Sequence, residues 1–462
     1  MMLILSSLSS TSIASLSTIK KTLSSTSLTS STSSIGAIIA NAKTSYEVLE
    51  SSSLLILTGE EKQQHHYQHQ YQYKQQQHSI NALSRIVKFT IGNNQYQYKQ
   101  RNTINSDLRL YRLINASIQY SINNTNWLIA DFEQSCNALI NIITIITSNT
   151  NNDNHQNSII NDIIQLIHLQ LIFIGRMNKD INPIYTDKLY WSISRLRHTS
   201  NYSNDSSEKI NNYYETIKRL RESLLQLPFD VIQQCCTNVT TYNDLRNEVQ
   251  FQSEELKTRT GAKVTERRMT CWMAEKSIGG LAYSGKIMKP VPFCNSVTAV
   301  RDAIESKTGI YYDCCLINLY PDGDCACKFH SDPDMGTMWS RDTVVVSFGE
   351  VRRFHFRKID DSSDSEQHHF TYRLFEGDVV SMFGSCQDDF QHAVMKGENE
   401  NNDEGRISIV FKKSIPGPNG RRGHGISDKT NAKPNVISAK PRSSTPQQQS
   451  PQKKVMMTKK RK

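Results

Sequence analysis

The sequence predicts a mainly β domain, a sandwich or barrel, preceded by an α-helical region and flanked by disordered N- and C-terminal segments. Three observations predict it. Short β-rich runs separated by turn residues crowd the stretch after Leu227, the pattern of an all-β sandwich or barrel. Isoleucines at intervals of three and four stripe the stretch before it, the period of a helix face. Only 37% of the 462 residues are hydrophobic, below the share of a chain that packs throughout.

Taken in order, residues 1–104 read as low-complexity sequence with a possible targeting segment and a linker. Residues 1–43 are rich in Ser and Thr, carry Lys20, Lys21 and Lys43, and have no acidic residue before Glu47. That is the composition of an organelle transit sequence, with plain low-complexity disorder as the competing reading. Residues 63–78 form a Gln/His/Tyr tract. Histidine-rich tracts can bind metal, but nothing fixes ligand geometry here and a biased linker is the expectation.

Residues 105–226 form the helical region. Ile160, Ile163, Ile164, Ile167, Leu171 and Ile174 stripe one helix; Ile217, Leu220 and Leu224 stripe a second that ends before Pro228. Core packing is the expected use of both. The segment Ile159–Ile174 is interrupted by Asn161, Asp162, Gln165, His168 and Gln170, which argues against a membrane span.

Residues 227–416 form the β domain. Its runs are Cys314–Tyr320, Thr343–Gly349, Arg352–Arg357, Asp378–Phe383, Phe390–Val394 and Arg406–Lys412, with Glu376-Gly377-Asp378 as a turn. Residues 417–462 are a basic tail, expected to be disordered. From Pro418 onward there are 12 Lys and Arg against the single acidic Asp428. The tail therefore holds the basic excess behind the net charge of +10. Total charge gives no sign of a basic groove on the body. The ending Lys-Lys-Arg-Lys is a nuclear-targeting or phosphate-binding type of patch, so the two ends point to different intracellular compartments, nucleus and organelle. Ten scattered cysteines without a CxxC pair indicate free thiols in a reducing compartment.

The chemistry concentrates in Asn318-Leu-Tyr-Pro-Asp-Gly-Asp-Cys-Ala-Cys-Lys-Phe-His-Ser-Asp. His330 and Asp332 project from the end of a strand, and His392 arrives from a distant one. Two histidines and a carboxylate can hold one face of an iron ion and leave the other face open for a bidentate keto acid and O2. Each residue alone is weak; the order His-x-Asp, distant His, then Arg406 heading a strand is much stronger. Period two puts Arg406, Ser408, Val410 and Lys412 on one face of that strand, with Ile407, Ile409 and Phe411 on the other. A buried Arg406 needs a negative partner, and the far carboxylate of a dicarboxylic acid supplies one in bidentate fashion. Asn318 and Tyr320 share a face and can hydrogen-bond the same anion. Cys325 and Cys327 lie close to His330; a soft-metal site there lacks ligands, and thiols beside the iron are the expectation.

These residues resemble the AlkB-type Fe(II)/2-oxoglutarate-dependent dioxygenases. The resemblance covers Leu227 to Ser414. It rests on Asn318-x-Tyr320, His330-Ser-Asp332, Ser347-Phe-Gly349-x-x-Arg352-x-Phe354, Phe390-Gln-His392 and Arg406-Ile-Ser408-Ile-Val410-Phe-Lys412. It implies a double-stranded β-helix (jelly roll) with Fe(II) on His330, Asp332 and His392. It also implies 2-oxoglutarate as cosubstrate on Arg406, with Asn318, Tyr320, Ser408 and Lys412 assisting. The implied activity is oxidative dealkylation of N-alkylated bases in DNA or RNA: hydroxylation of the methyl carbon gives a hemiaminal that releases formaldehyde. Arg268-Met-Thr-Cys-Trp272 and Tyr283-Ser-Gly285 are similar to the nucleotide-recognition lid of that family. Trp272, Tyr283, Asp334 and Arg352 are the implied substrate contacts. The final strand departs from the family's Arg-x-Asn-x-Thr-x-Arg, with Ser408, Val410 and Lys412 in its last three fixed places. Lys412 keeps a charge and loses the guanidinium fork, so a weakened cosubstrate site is expected.

DNA repair is the first functional expectation. RNA or tRNA demethylation, hydroxylation of protein or lipid, and a non-catalytic binding module are the alternatives. Alkylated nucleic acid is the expected partner, with no membrane and a monomeric state.

Overall fold

In the computed structural model, the described residues are 48, 78–87, 108–123, 129–147, 154–177, 182–198, 203–257, 263–283, 286–359, 369–398, 405–417 and 419–424. The transit-like segment, most of the Gln/His/Tyr tract and the tail beyond His424 lie outside them.

After a helical stretch at 78–87, five helices follow: α1 (Leu108–Asn123), α2 (Ile129–Thr147), α3 (Asn154–Met177), α4 (Pro183–Arg197) and α5 (Asn204–Leu225). The isoleucine stripe of α3 is spent as expected: Ile160, Ile163, Ile164, Ile167 and Ile174 are buried in a common core with Leu139 and Ile142 of α2 and Ile210 and Ile217 of α5. Leu224 is 40% exposed, so the stripe of α5 stops short of its end. Local chemistry starts the later helices. Asn182 accepts from the Ile184 N–H at 3.1 Å with Pro183 in the first turn, and Ser203 caps α5 through the Ser206 N–H. Within α3, Ile159–Met177 has the length and hydropathy (1.3) of a membrane span. Half of that window is buried inside the protein, and Gln170 of the same helix is fully buried, the mark of a core helix.

The β domain holds two opposed antiparallel sheets. The larger runs β1 (Phe229–Ile232), β11 (Val379–Met382), β8 (Thr343–Gly349), β13 (Arg406–Lys412), β6 (Cys314–Tyr320), β3 (Lys263–Ala274) and β2 (Gln252–Lys257). The smaller runs β10 (His369–Leu374), β9 (Arg352–Lys358), β12 (Phe390–Val394) and β7 (Cys327–His330). A hairpin, β4 (Leu281–Tyr283) and β5 (Lys286–Met288), stands apart. The short helices are α6 (Tyr242–Glu248), α7 (Asn295–Thr308) and α8 (Cys386–Asp389).

Alternation decides what each sheet face meets. Ile407, Ile409 and Phe411 of β13 pack with Val297, Val300 and Ile304 of α7 and Leu245 of α6. The opposite face looks into the space between the sheets. There Phe354, Phe356, Phe370, Tyr372 and Phe390 meet Phe229, Val231 and Val345. Phe229 stacks on Phe356 with ring centres 3.8 Å apart, tying the two layers together. The β10–β11 turn needs Gly377, whose φ of +82° suits a residue without Cβ and whose neighbour Thr237 leaves no room for one.

The bundle is docked on the β domain through buried charge. Arg195 of α4 donates to both oxygens of Asp378 at 2.9 and 3.0 Å, with side-chain exposures of 5% and 0%. Asp187 accepts from Arg221 at 2.6 Å and from the Tyr372 hydroxyl of β10 at 2.8 Å. Ile184 and Trp191 of α4 join the apolar core between the sheets.

The first residues after the β domain pair with its backbone. Residues 419–424 are ordered against the hairpin, Ile278 bridging Arg422 and Gly280 bridging His424.

Candidate metal centre and cosubstrate site

The smaller sheet builds the metal centre. β7 and β12 pair antiparallel with His330 directly opposite His392, and their rings lie 4.3 Å apart. Asp332 follows two residues after His330, and its backbone N–H donates to Gln387 at 2.8 Å. One ligand atom from each of His330, Asp332 and His392 lies within 4.8 Å of the others, and among the described residues this is the one such group.

The surrounding bonds leave those atoms facing one another. His330 Nδ1 is 2.8 Å from the Lys328 carbonyl; an Nδ1–H donating there leaves the Nε2 lone pair for a metal. Nε2 is 3.7 Å from Asp332 Oδ1, while Lys412 Nζ takes Oδ2 at 2.6 Å. His392 is 5% exposed and stacked on Phe354 at 5.6 Å. Burial and the neighbouring His330 push its imidazole down to about 3, so it is neutral and able to ligate. Burial works to raise the Asp332 carboxyl, but Lys412, His392 and His330 hold it well below the usual carboxylate range. Burial likewise opposes a proton on His330. The Cys327 thiol, then Asp332 and the Lys328 carbonyl, outweigh it and hold that imidazole up at about 9. A field that retains a proton here also favours a divalent cation. The donor set, two imidazoles and a carboxylate on one side of a point, fits Fe(II) with positions left open.

The larger sheet builds the second half. β13 pairs with β6 so that Arg406 faces Tyr320 and Ser408 faces Asn318; on its other side Ser408 faces Ser347 of β8. Arg406 is 0% exposed. Its Nε donates to Ser347 Oγ at 3.0 Å, and its Cζ sits 5.3 Å over the Tyr320 ring. Both Nη atoms are buried with no protein partner, as is Asn318 Oδ1. Burial pushes the guanidinium down to about 10. A buried fork of unpaired donors fits the bidentate binding of a carboxylate, so the residues present also fit 2-oxoglutarate. Ser408 Oγ accepts from Asn318 Nδ2 at 3.5 Å and so lines the same end of the strand.

Lys412 lies six residues from Arg406, roughly 20 Å along an extended strand. Its partner is the metal ligand Asp332, with Met335 Sδ at 3.8 Å. The ammonium lost a guanidinium fork but kept a carboxylate to hold.

Two expected substrate contacts are corrected. Arg352 is 1% exposed and its guanidinium is spent on Glu350 and on the carbonyls of Cys325, Met395 and Asp322. It ties the β6–β7 loop to β9 and has no donor face left for a ligand. Trp272 is also 1% exposed, donates to the Gly279 carbonyl at 3.1 Å and packs edge-on against Trp339. It supports the backbone just before the hairpin and offers no open stacking face. Tyr283 is half-buried, its hydroxyl donating to Glu266 at 3.0 Å and accepting from Arg268 at 2.6 Å. Arg268 in turn lies 5.9 Å from the Tyr320 ring, so the hairpin connects to the cosubstrate wall. Asp334 has a φ of +62° and a side chain 42% exposed. Cys325 and Cys327 are free thiols; Cys327 Sγ is 3.7 Å from His330 Nδ1.

Sequence reasoning passed over Glu266, Trp339 and His424. Glu266 was legible as the acidic residue two before Arg268. His424 was hidden inside a segment judged by composition.

The site residues fall within the stretch that matches known proteins. Residues 229–412 match the family model of the 2OG-Fe(II) oxygenase superfamily. The uncharacterized protein R406 of Acanthamoeba polyphaga mimivirus is 34% identical over 180 residues, 39% of this chain and 90% of that protein. The alpha-ketoglutarate-dependent dioxygenase alkB homolog 3 of Bos taurus is 31% identical over 173 residues, 36% of this chain. The match spans 59% of that relative's length. Among solved structures, OsALKBH1 is covered over 96% of its chain and 40% of this one, at 14% identity and a TM-score of 0.29.

Proposed function

We propose, for a chain that belongs to the 2OG-Fe(II) oxygenase superfamily and is similar to alkB homolog 3, the oxidative demethylation of N-alkylated bases in nucleic acid, with DNA as the first substrate to test. The observation that carries the chemistry is the pairing of two features across the sheets: the converging His330, Asp332 and His392, and the Arg406 fork with both Nη atoms unpaired. The choice of nucleic acid rests on the likeness to alkB homolog 3 and on the polar cluster of Arg268 and Glu266 of β3 with Tyr283 of the hairpin.

Bound at this site, Fe(II) with 2-oxoglutarate and O2 supplies the oxidation that hydroxylates a methyl carbon, giving succinate, CO2 and a hemiaminal that loses formaldehyde. The chain's own part is positioning. His330, His392 and Asp332 offer three ligands, the imidazole of His330 oriented by the Lys328 carbonyl. Lys412 holds Oδ2 of Asp332, which would leave Oδ1, on the side of His330 Nε2, free to ligate. Arg406, fixed by Ser347, binds the distal carboxylate with Asn318 beside it. The apolar wall of Phe354, Phe356 and Val394 excludes water behind His392.

The test loads the purified protein with Fe(II) and 2-oxoglutarate without oxygen, admits O2, and follows 1-methyladenine and 3-methylcytosine in matched DNA and RNA oligonucleotides. Demethylation of DNA with equimolar succinate and formaldehyde is the expected result. Loss of methyl groups from RNA alone overturns the choice of DNA. Succinate without any base demethylation overturns the nucleic-acid reading in favour of a protein or lipid substrate.

A further inference from the structure

The ordered chain continues past the last barrel strand and returns to the site. Ile415 N–H donates to the Met338 carbonyl at 2.8 Å, and Gly417 and Arg421 close a turn at 2.8 Å. Arg422 to His424 then run beside Ile278 to Gly280. Gly279 N–H donates to the Arg422 carbonyl at 2.8 Å, Gly280 N–H to the His424 carbonyl at 2.9 Å, and His424 N–H to the Gly280 carbonyl at 2.8 Å. The backbones approach so closely that a Cβ on Gly279 would lie 2.7 Å from the His424 carbonyl oxygen. Gly423 adopts a φ of +77° to make the turn.

The His424 imidazole joins two parts of the mouth. Its Nδ1 accepts from the Ala282 N–H at 3.1 Å, in the hairpin strand that carries Tyr283. An accepting Nδ1 leaves the ring proton on Nε2, and Nε2 lies 3.4 Å from Asp334 Oδ2. Asp334 stands two residues after Asp332. Its carbonyl accepts from the Met338 and Trp339 N–H groups at 2.9 and 3.1 Å. Trp339 packs against Trp272 under the hairpin and 6.2 Å from the His424 ring. One side chain from the C-terminal strap thus touches the lid backbone on one side and the loop after the metal ligand on the other.

We propose that His424 is a positioning residue of the substrate mouth. It latches the segment Ile278–Tyr283 to the Asp334 loop and so fixes the distance between Tyr283 and the metal centre at which a nucleotide base is held. The inference rests on the nucleic-acid reading for the identity of what is held, but not for the latch itself. Its effect is geometric: loosening the hairpin raises KM for a methylated oligonucleotide and leaves the metal and 2-oxoglutarate sites intact.

Amide hydrogen exchange on the full chain, with His424→Ala and His424→Asn beside the parent, tests the latch without any nucleic acid. In His424→Ala, exchange at Ala282 and Tyr283 is expected to accelerate about tenfold while the barrel amides of β6 and β13 keep their protection. In His424→Asn, whose side-chain oxygen can take the Ala282 N–H, protection at Ala282 is expected to return. KM for a methylated DNA oligonucleotide should rise several-fold in His424→Ala, at unchanged kcat and unchanged succinate formation without substrate. Equal exchange at Ala282 in parent and His424→Ala overturns the latch. A fall in kcat at constant KM overturns the positioning role. A parent enzyme that turns over no oligonucleotide defeats the nucleic-acid reading, and the exchange result then stands by itself.

Discussion

Replacing Arg406 with Met should stabilise the protein without cosubstrate and abolish its response to cosubstrate. Arg406 is a buried cation whose two Nη atoms hold no anion. Arg406 is 0% exposed, and both Nη atoms lack a partner. Burial moves its guanidinium well below its ordinary value, down to about 10, which disfavours the charged form by roughly 3 kcal/mol. The folded value lies below the unfolded one, and pH 7 lies below both. The whole penalty is therefore present at neutral pH and fades only above pH 10. Met fills a similar volume without charge. It forfeits the hydrogen bond to Ser347, worth about 1 kcal/mol, and the contact over the Tyr320 ring, worth about 0.5–1 kcal/mol. The balance is a gain of about 1–2 kcal/mol, a rise in Tm of roughly 2–6 °C for a domain of this size. In the parent, 2-oxoglutarate at a hundred times Kd should add about 2.7 kcal/mol; in Arg406→Met that shift should vanish. Thermal unfolding with and without 2-oxoglutarate reads both. A variant that melts below the parent in the absence of cosubstrate, or still gains from it, refutes the assignment of Arg406 as a carboxylate receptor.

Three further outcomes follow from contacts described above. Lys412→Met strips Asp332 Oδ2 of its 2.6 Å partner and should weaken Mn(II) binding, read by calorimetry, about 10–100-fold, with Lys412→Arg close to parent; equal affinities would dissociate Lys412 from the metal centre. Arg195→Ala leaves Asp378 buried without its cation and should lower unfolding free energy by about 3–5 kcal/mol in urea melts; a loss under 1 kcal/mol would mean the ion pair does not dock the bundle. Burial, with Arg353 and His369 adding, holds His355 down at about 4, against 6.5 ordinarily. Its contribution is intact above pH 6.5 and is lost as pH falls to 4. His355→Gln should flatten the stability profile across that window, and an unchanged slope would place the acid sensitivity elsewhere.

The strands that frame the site were legible because their chemistry is local. β6, β8, β12 and β13 fall on the runs read from alternation and bounding turn residues. β7 was not legible: Cys327–His330 is a four-residue strand whose side chains are half-buried or exposed, without the apolar alternation that marks β13. β10 sits after a polar stretch and hides its inward Phe370, Tyr372 and Leu374 among His369, Thr371 and Arg373. Residue type alone misjudged Arg352 and Trp272. A cation and an indole near a site invite a ligand role, but burial decided otherwise, and burial depends on partners far along the chain. The same holds for Lys412, whose partner Asp332 is 80 residues away. The helical region was read as packing and its interface was missed. Arg195 and Asp187 look like ordinary surface charges of a helix until Asp378 and Tyr372, 183 and 185 residues on, are placed against them.

The carboxylate of Asp378 also answers to the backbone N–H groups of Gln234 and Phe375 at 2.9 and 2.8 Å, so it cannot turn away when Arg195 is gone. Recombination is thereby constrained. A descendant that exchanged its leading helices for unrelated sequence would inherit an orphaned anion at the hinge of β10 and β11, unless the newcomer carried a cation to the same spot or Asp378 changed in the same lineage. The two halves are bound to be transmitted together.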